Sequence, residues 1–164
     1  MQEHIIYAKV APAGVRAINQ LEDYIKKCSL ELSLLELVRL RSSQINGCAY
    51  CIDMHTKDAR AEGESEQRLY GVSAWRESPF YTEREKAALA WTEAITKISD
   101  QQVPDAVYER ARRQFSEKEL VDLTFAVIAI NCWNRLAIPF HTPPGSYHPH
   151  SPVTMRRALE ATAG

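Results

Sequence analysis

Apolar residues recur along this chain at intervals of three and four, and no stretch alternates with period two for long enough to build a sheet. The pattern predicts an all-α protein. A first helix follows Pro12 and aligns Val15, Ile18, Leu21, Ile25 and Cys28 on one face. A second is expected over about 33–43. Asn46-Gly47 breaks it, a third runs from Cys48 to about Glu62 with Gly63 as a left-handed cap, and a short fourth covers Glu66 to Trp75. Thr82-Glu83-Arg84-Glu85 has the form of a capping box, ahead of a helix that buries Ala88, Trp91, Ala94, Ile95 and Ile98. Pro104 opens a helix through Phe115. Ser116-Glu117-Lys118-Glu119 is a second capping box, ahead of a helix from Leu120 to about Ile138 that is apolar on nearly every side between Leu123 and Ile130. Such a helix is expected at the centre, surrounded by the others.

The pattern gives one helical domain over 1–164, with its core at about 7–138 and a Pro/His-rich tail at 139–164. Five of the eight prolines and three of the five histidines lie between Pro139 and Pro152, which stops the last helix and predicts a segment wrapped over the surface or a neighbouring subunit. The apolar central helix leaves surface to cover, which points to an oligomer.

Composition narrows the function classes. Twenty basic and twenty-one acidic side chains leave a net charge of −1, so no long-range field favours nucleic acid or anionic lipid. The run from Leu123 to Ile130 falls far short of the roughly 20 residues that span a bilayer, and the opening residues lack the apolar region of a secretory signal. The expected partners therefore include neither nucleic acid nor membrane, and the expected compartment is the cytoplasm.

Four cysteines are too few to staple a chain of 164 residues, and two of them form Cys48-x-x-Cys51. With His55 four residues further on, the three side chains share one face of a helix within about two turns. The cysteines fall in the first turn, where free amides and the helix dipole lower thiol pKa values. A thiolate there can attack the O–O bond of a peroxide and be captured by a second thiol a turn away. Glu36 lies between Leu32 and Leu40, and burial on that apolar face would raise its carboxyl toward the range of a general base. Equally, Ser33-Leu34-Leu35-Glu36 fits a capping box, which would make Glu36 structural. Cys48, Cys51 and His55 could also be three zinc ligands, with Cys132 or a tail histidine as the fourth. Cys28 and Cys132 read as small core residues, and Trp91 and Trp133 as packing. Asn131 and Asn134, in an otherwise apolar helix, need buried partners and are expected to tie helices together. A thioredoxin reading fails, because that motif follows a β-strand and this one follows a helix.

The segment from Glu36 through Arg39-Leu40-Arg41-Ser42-Ser43-Gln44-Ile45-Asn46-Gly47-Cys48-Ala49-Tyr50-Cys51-Ile52-Asp53-Met54-His55 resembles the core of the alkyl hydroperoxidase D-like proteins, in the carboxymuconolactone decarboxylase superfamily. The likeness rests on a glutamate twelve residues before the first cysteine, the cysteine pair, and the histidine four residues after it. More loosely it runs from about Tyr7 to Ile138. It implies an all-α fold assembled as trimers or hexamers, and a peroxidase that needs no metal, flavin or other cofactor. On that likeness Cys51 attacks the hydroperoxide, Cys48 resolves, Glu36 and His55 relay protons, and an external dithiol restores the pair. The elementary reading differs on one point: Cys48 is nearer the helix terminus and should feel the dipole more. Tyr50 stands where the best-known hydroperoxide reductases of the family have a second histidine, and a phenol of ordinary pKa near 10 does not relay protons at neutral pH. The decarboxylase branch typically lacks the cysteine pair, so lactone chemistry is not expected. The competing class is a non-catalytic helical oligomer that senses redox state or binds zinc.

Overall fold

The computed structural model describes residues 3–149, and among these every regular element is helical. Eight α-helices follow in order: α1 Tyr7–Val10, α2 Pro12–Ile25, α3 Leu32–Asn46, α4 Ala49–Ala61, α5 Glu66–Gly71, α6 Glu83–Thr96, α7 Asp105–Gln114 and α8 Glu117–Ala137. A single 3-10 turn, Val72–Ala74, follows α5.

Local chemistry sets most of these boundaries. Pro12 occupies the first turn of α2, where its missing N–H costs nothing. Both capping boxes are formed: Thr82 and Ser116 accept from the amides of Glu85 and Glu119, whose carboxylates reach back to the cap amides. Gly63, just after α4, has φ +94°. Several boundaries differ from the sequence pattern. α2 stops at Ile25, leaving Cys28 outside it, and α6 stops at Thr96, leaving Ile98 exposed. α1 is absent from the pattern, because four residues are too few to show a period.

α3 is the helix the others surround. Leu34, Leu35 and Val38 pack with α6, α7 and α8 in one core, while Leu37 and Leu40 face a second core with Leu69, Val72, Trp75 and Leu89. A helix buried on two sides cannot be strongly amphipathic, which is why the sequence does not mark it as central. The pattern predicts α8 there instead. That helix packs on α2, α3 and α6, yet leaves Val121, Phe125 and Ile128 exposed along one stripe. By length and composition α8 could cross a bilayer, although its short unbroken apolar run argues against that. Half of its most apolar window is buried within the fold. Its fully buried Asp122 accepts from the Tyr24 hydroxyl at 2.7 Å and pairs with Lys118.

Asn131 performs the tying role its position suggests. Its amide donates to Ser42 Oγ of α3 at 3.0 Å and to Thr96 Oγ1 of α6 at 3.2 Å, two buried hydroxyls that also bond each other at 3.1 Å, so three helices are joined through one polar cluster.

Candidate functional site

The loop between α3 and α4 is one tight turn. Gly47 adopts φ +71°, a left-handed conformation that a side chain disfavours, and this reverses the chain so that Cys48 N–H bonds the Ser43 carbonyl at 3.0 Å. Cys48 is therefore the N-cap residue of α4, one position earlier than a helix starting at Cys48 would place it, and Cys51 lies in the first turn. Both are free thiols and nearly fully buried.

Their acidities diverge, whereas the sequence suggests that both are lowered. The Cys51 thiol donating toward it, the first-turn amides of Cys51 and Tyr50, and the Asn134 amide together outweigh burial and bring Cys48 down to about 7. Cys51 moves up, because its proton is engaged by Cys48, burial disfavours its charge, and a thiolate at Cys48 repels a second one. The pair thus holds one readily lost proton, with the negative charge favoured at the helix terminus.

Asn134 does more than tie helices. It is fully buried in α8, its amide nitrogen donates to Ser43 Oγ at 3.2 Å, and the same amide favours charge on the cysteines. Asn46, the last residue of α3, donates to Asn134 Oδ1 at 2.7 Å and so fixes which end of the amide faces the sulfurs. Only the third dimension joins position 134 to position 48.

α3 delivers Glu36 to the same place. Its helix begins at Leu32 with Glu31 as an N-cap whose side chain makes no capping bond, so the Ser33–Glu36 capping box is not formed. Glu36 instead accepts from Arg39 Nη1 at 2.6 Å and lies 2.9 Å from His55 Nδ1. Burial by itself would raise its carboxyl, as the sequence reading expects, but the hydrogen bonds and charges of His55 and Arg39 prevail and hold it below the ordinary carboxylate range. Arg39, equally buried, also pairs with Glu22 at 2.8 Å. Glu36 is thereby an orienting anion for the imidazole and not a base with a raised pKa. His55 Nε2, the other ring nitrogen, is buried and has no hydrogen-bond partner among the described residues.

A cavity of about 430 Å3 opens onto this group. Cys51, His55 and Glu36 line it, while Cys48 does not. Trp133 is part of its wall, with its indole N–H on Glu22 at 3.1 Å, so it is more than packing; Trp91 is buried in the core. Cys28 and Cys132 are half-buried and lie outside this cavity. Tyr50 lines it too, and burial raises its phenol, which keeps the proton on oxygen.

Among the described residues, the zinc set that the sequence allows does not form a compact group of donors. Among the described residues the compact group is Glu36, His55 and Asp58, with donor atoms within 4.8 Å of one another and no cysteine. Asp58, half-buried one turn after His55, is raised by burial and by the nearby Glu36 charge. His150 and Pro152 of the tail lie outside the described residues.

The fold is all-helical, with a cysteine pair at a helix start beside a Glu–His couple, and this combination can be set beside known proteins. The carboxymuconolactone decarboxylase family profile matches residues 12–94. The uncharacterized protein YdfG of Bacillus subtilis is 46% identical over 138 residues, covering 84% of this chain and 94% of YdfG. The crystal structure of ATU0492 from Agrobacterium tumefaciens, a protein of unknown function described as a candidate AhpD antioxidant defence protein, superposes with a TM-score of 0.86 at 44% identity, covering 89% of this chain and all of that one. The debrominase Bmp8, in a cysteine-to-alanine variant bound to 2,3,4-tribromopyrrole, shares the fold at a TM-score of 0.76 and 19% identity, over 84% of this chain and 74% of its own. This chain belongs to the carboxymuconolactone decarboxylase family, as one of its AhpD-like proteins.

Proposed function

We propose that the protein is a thiol-dependent peroxidase that reduces hydrogen peroxide or organic hydroperoxides through a Cys48–Cys51 dithiol/disulfide cycle. The observation that carries this reading is that Cys51 and the Glu36–His55 couple line one cavity, with the unpartnered Nε2 on that same imidazole. Likeness to AhpD-type proteins supports it.

In this reading Cys51 is the attacking residue because it is the thiol that faces the cavity. Its proton passes to His55 Nε2, with the ring held through Nδ1 by Glu36, and sulfur attacks the distal peroxide oxygen. The O–O bond breaks, Cys51 becomes a sulfenic acid, and the alkoxide takes a proton from His55 and leaves as alcohol, or as water when the substrate is hydrogen peroxide. The Cys48 thiolate then attacks the Cys51 sulfur, forming the disulfide and expelling hydroxide, which leaves as water once protonated. An external dithiol returns two electrons and two protons. No cofactor takes part, and the setting is a reducing, cytoplasmic one. A second copy of the chain covers the α8 stripe in a trimer or hexamer.

The test follows consumption of hydrogen peroxide and cumene hydroperoxide with dithiothreitol as reductant. Turnover that is lost in both Cys51→Ser and Cys48→Ser supports the cycle, and turnover retained in Cys51→Ser overturns it. A second reading, a non-catalytic oligomer that senses redox state or binds zinc, draws on the Glu36–His55–Asp58 donor group. Stoichiometric zinc without peroxide turnover would favour it. Bmp8 is a debrominase whose variant binds 2,3,4-tribromopyrrole, so consumption of that compound in the same assay would move the activity to dehalogenation.

A further inference from the structure

The tail enters the site in a way that neither the cysteine motif nor the family match, which ends at residue 94, accounts for. Residues after α8 turn back over α4 and are fastened to its outer face. Lys57 Nζ donates to Asp53 Oδ2 at 2.8 Å, to the Tyr147 carbonyl at 3.0 Å and to the Gly145 carbonyl at 3.3 Å, so all three ammonium donors have acceptors. Asp53 Oδ2 also accepts the Gly145 N–H at 3.0 Å. Gly145 turns the strap at φ +100°, which a side chain would strain. The upstream end is pinned as well: His4 N–H bonds the Phe140 carbonyl at 3.0 Å, and the His4 and His141 rings lie 3.9 Å apart.

This clamp brings the Tyr147 ring to the cavity. Its hydroxyl donates to Asp58 Oδ1 at 2.7 Å, and its ring joins Tyr7, Tyr50 and Trp133 in the lining through which Cys51 is reached. Cys51 itself is only 1% exposed, so anything that reacts with it must pass that lining.

We propose that Tyr147 is a specificity-determining residue: held over the cavity by Asp58 and by the Lys57 clamp, it restricts by size and shape which electrophiles reach the Cys51 thiol. The proposal rests on Cys51 as the thiol facing the cavity and does not depend on the electrophile being a peroxide. Small reagents pass the strap. Bulky planar ones are held back, and opening the strap releases them.

The test uses the full-length reduced protein, a small thiol reagent (iodoacetamide) and a bulky aromatic one (N-phenylmaleimide), with adduct at Cys51 quantified by peptide mass spectrometry. Tyr147→Ala is expected to speed the maleimide about ten-fold and iodoacetamide by less than about three-fold, in the range that pocket-shape discrimination supplies. Lys57→Ala, which removes no lining side chain but releases the strap that holds Tyr147, is expected to shift the same ratio in the same direction. An unchanged ratio in both variants, or equal acceleration of both reagents, overturns the proposal. Because no peroxide is consumed in this measurement, its outcome is separate from that of the peroxidase reading.

Discussion

Asn46 donates to Asn134 Oδ1 at 2.7 Å, and this bond between the end of α3 and the C-terminal part of α8 orients the amide that faces the cysteines. A hydrogen bond to a charged group contributes about 1.5–3 kcal/mol, and one pKa unit corresponds to about 1.4 kcal/mol. Asn134→Ala removes the donor and is expected to raise Cys48 from about 7 by about one unit. Asn46→Ala leaves the amide in place but frees it to turn, so a smaller rise is expected. Ultraviolet thiolate absorbance followed against pH reads both. If Asn134→Ala left the titration unmoved, the amide would be a helix tie and nothing more.

The Glu22–Arg39–Glu36 triad makes stability depend on acid. Glu36 has a folded pKa below its unfolded value, so its contribution is complete above the ordinary carboxylate range and is lost as the pH falls through the lowered folded value. Urea unfolding at neutral pH and below about pH 4 is expected to show this loss in the wild type, and a shallower one in Glu36→Gln. Arg39→Met removes the cation shared by the buried Glu36 and the half-buried Glu22 and is expected to destabilise the protein by about 3 kcal/mol at neutral pH. A variant as stable as wild type would mean that these carboxylates find other partners.

Much of this fold can be read from the sequence because its signals are local. The capping boxes at Thr82 and Ser116, Pro12, and the Gly47 turn each act within one helical turn, and each sets a boundary where expected. The place of α3 could not be read. A helix with leucines facing two cores and polar groups facing a site has no single apolar face, while α8, with a cleaner apolar run, leaves a stripe uncovered.

The site divides in the same way. Cys48, Cys51 and His55 share a helix, so spacing alone brings them together. That Glu36 would be buried was legible from its leucine neighbours, but the sign of its pKa shift was not, because it depends on His55 and Arg39 being closer to the carboxylate than the solvent it has lost. Asn134 and Tyr147 reach the site from sequence distances at which no period or motif operates, whereas Asp58, one turn after His55 on α4, lay within the helical period.

Removing Cys48 is expected to make Cys51 more acidic. Two of the three influences that raise Cys51 come from Cys48, its hydrogen bond and its charge, and only burial remains in Cys48→Ser. The pH profile of Cys51 alkylation should move to lower pH in that variant even as peroxide turnover is lost. Were the profile to stay in place, burial alone would account for the raised thiol.

The proposed oligomer would take the exposed stripe on α8 as its seam. Val121, Phe125 and Ile128 follow one another at helical spacing and are 52%, 37% and 41% exposed, with Phe125 edge-on to the half-exposed Tyr24. Three large apolar groups in a row on the most apolar helix form a patch of the kind that partners cover. If a second copy covers it, a charge placed at its centre must be desolvated on assembly, at a cost of several kcal/mol unless it finds a counter-ion. Phe125→Glu is therefore expected to convert a trimer or hexamer into monomers in sedimentation velocity. Its helical circular dichroism should be unchanged, because the side chain is outside the subunit core. A variant that sediments like the wild-type oligomer would place the subunit contact elsewhere and leave the α8 stripe facing water.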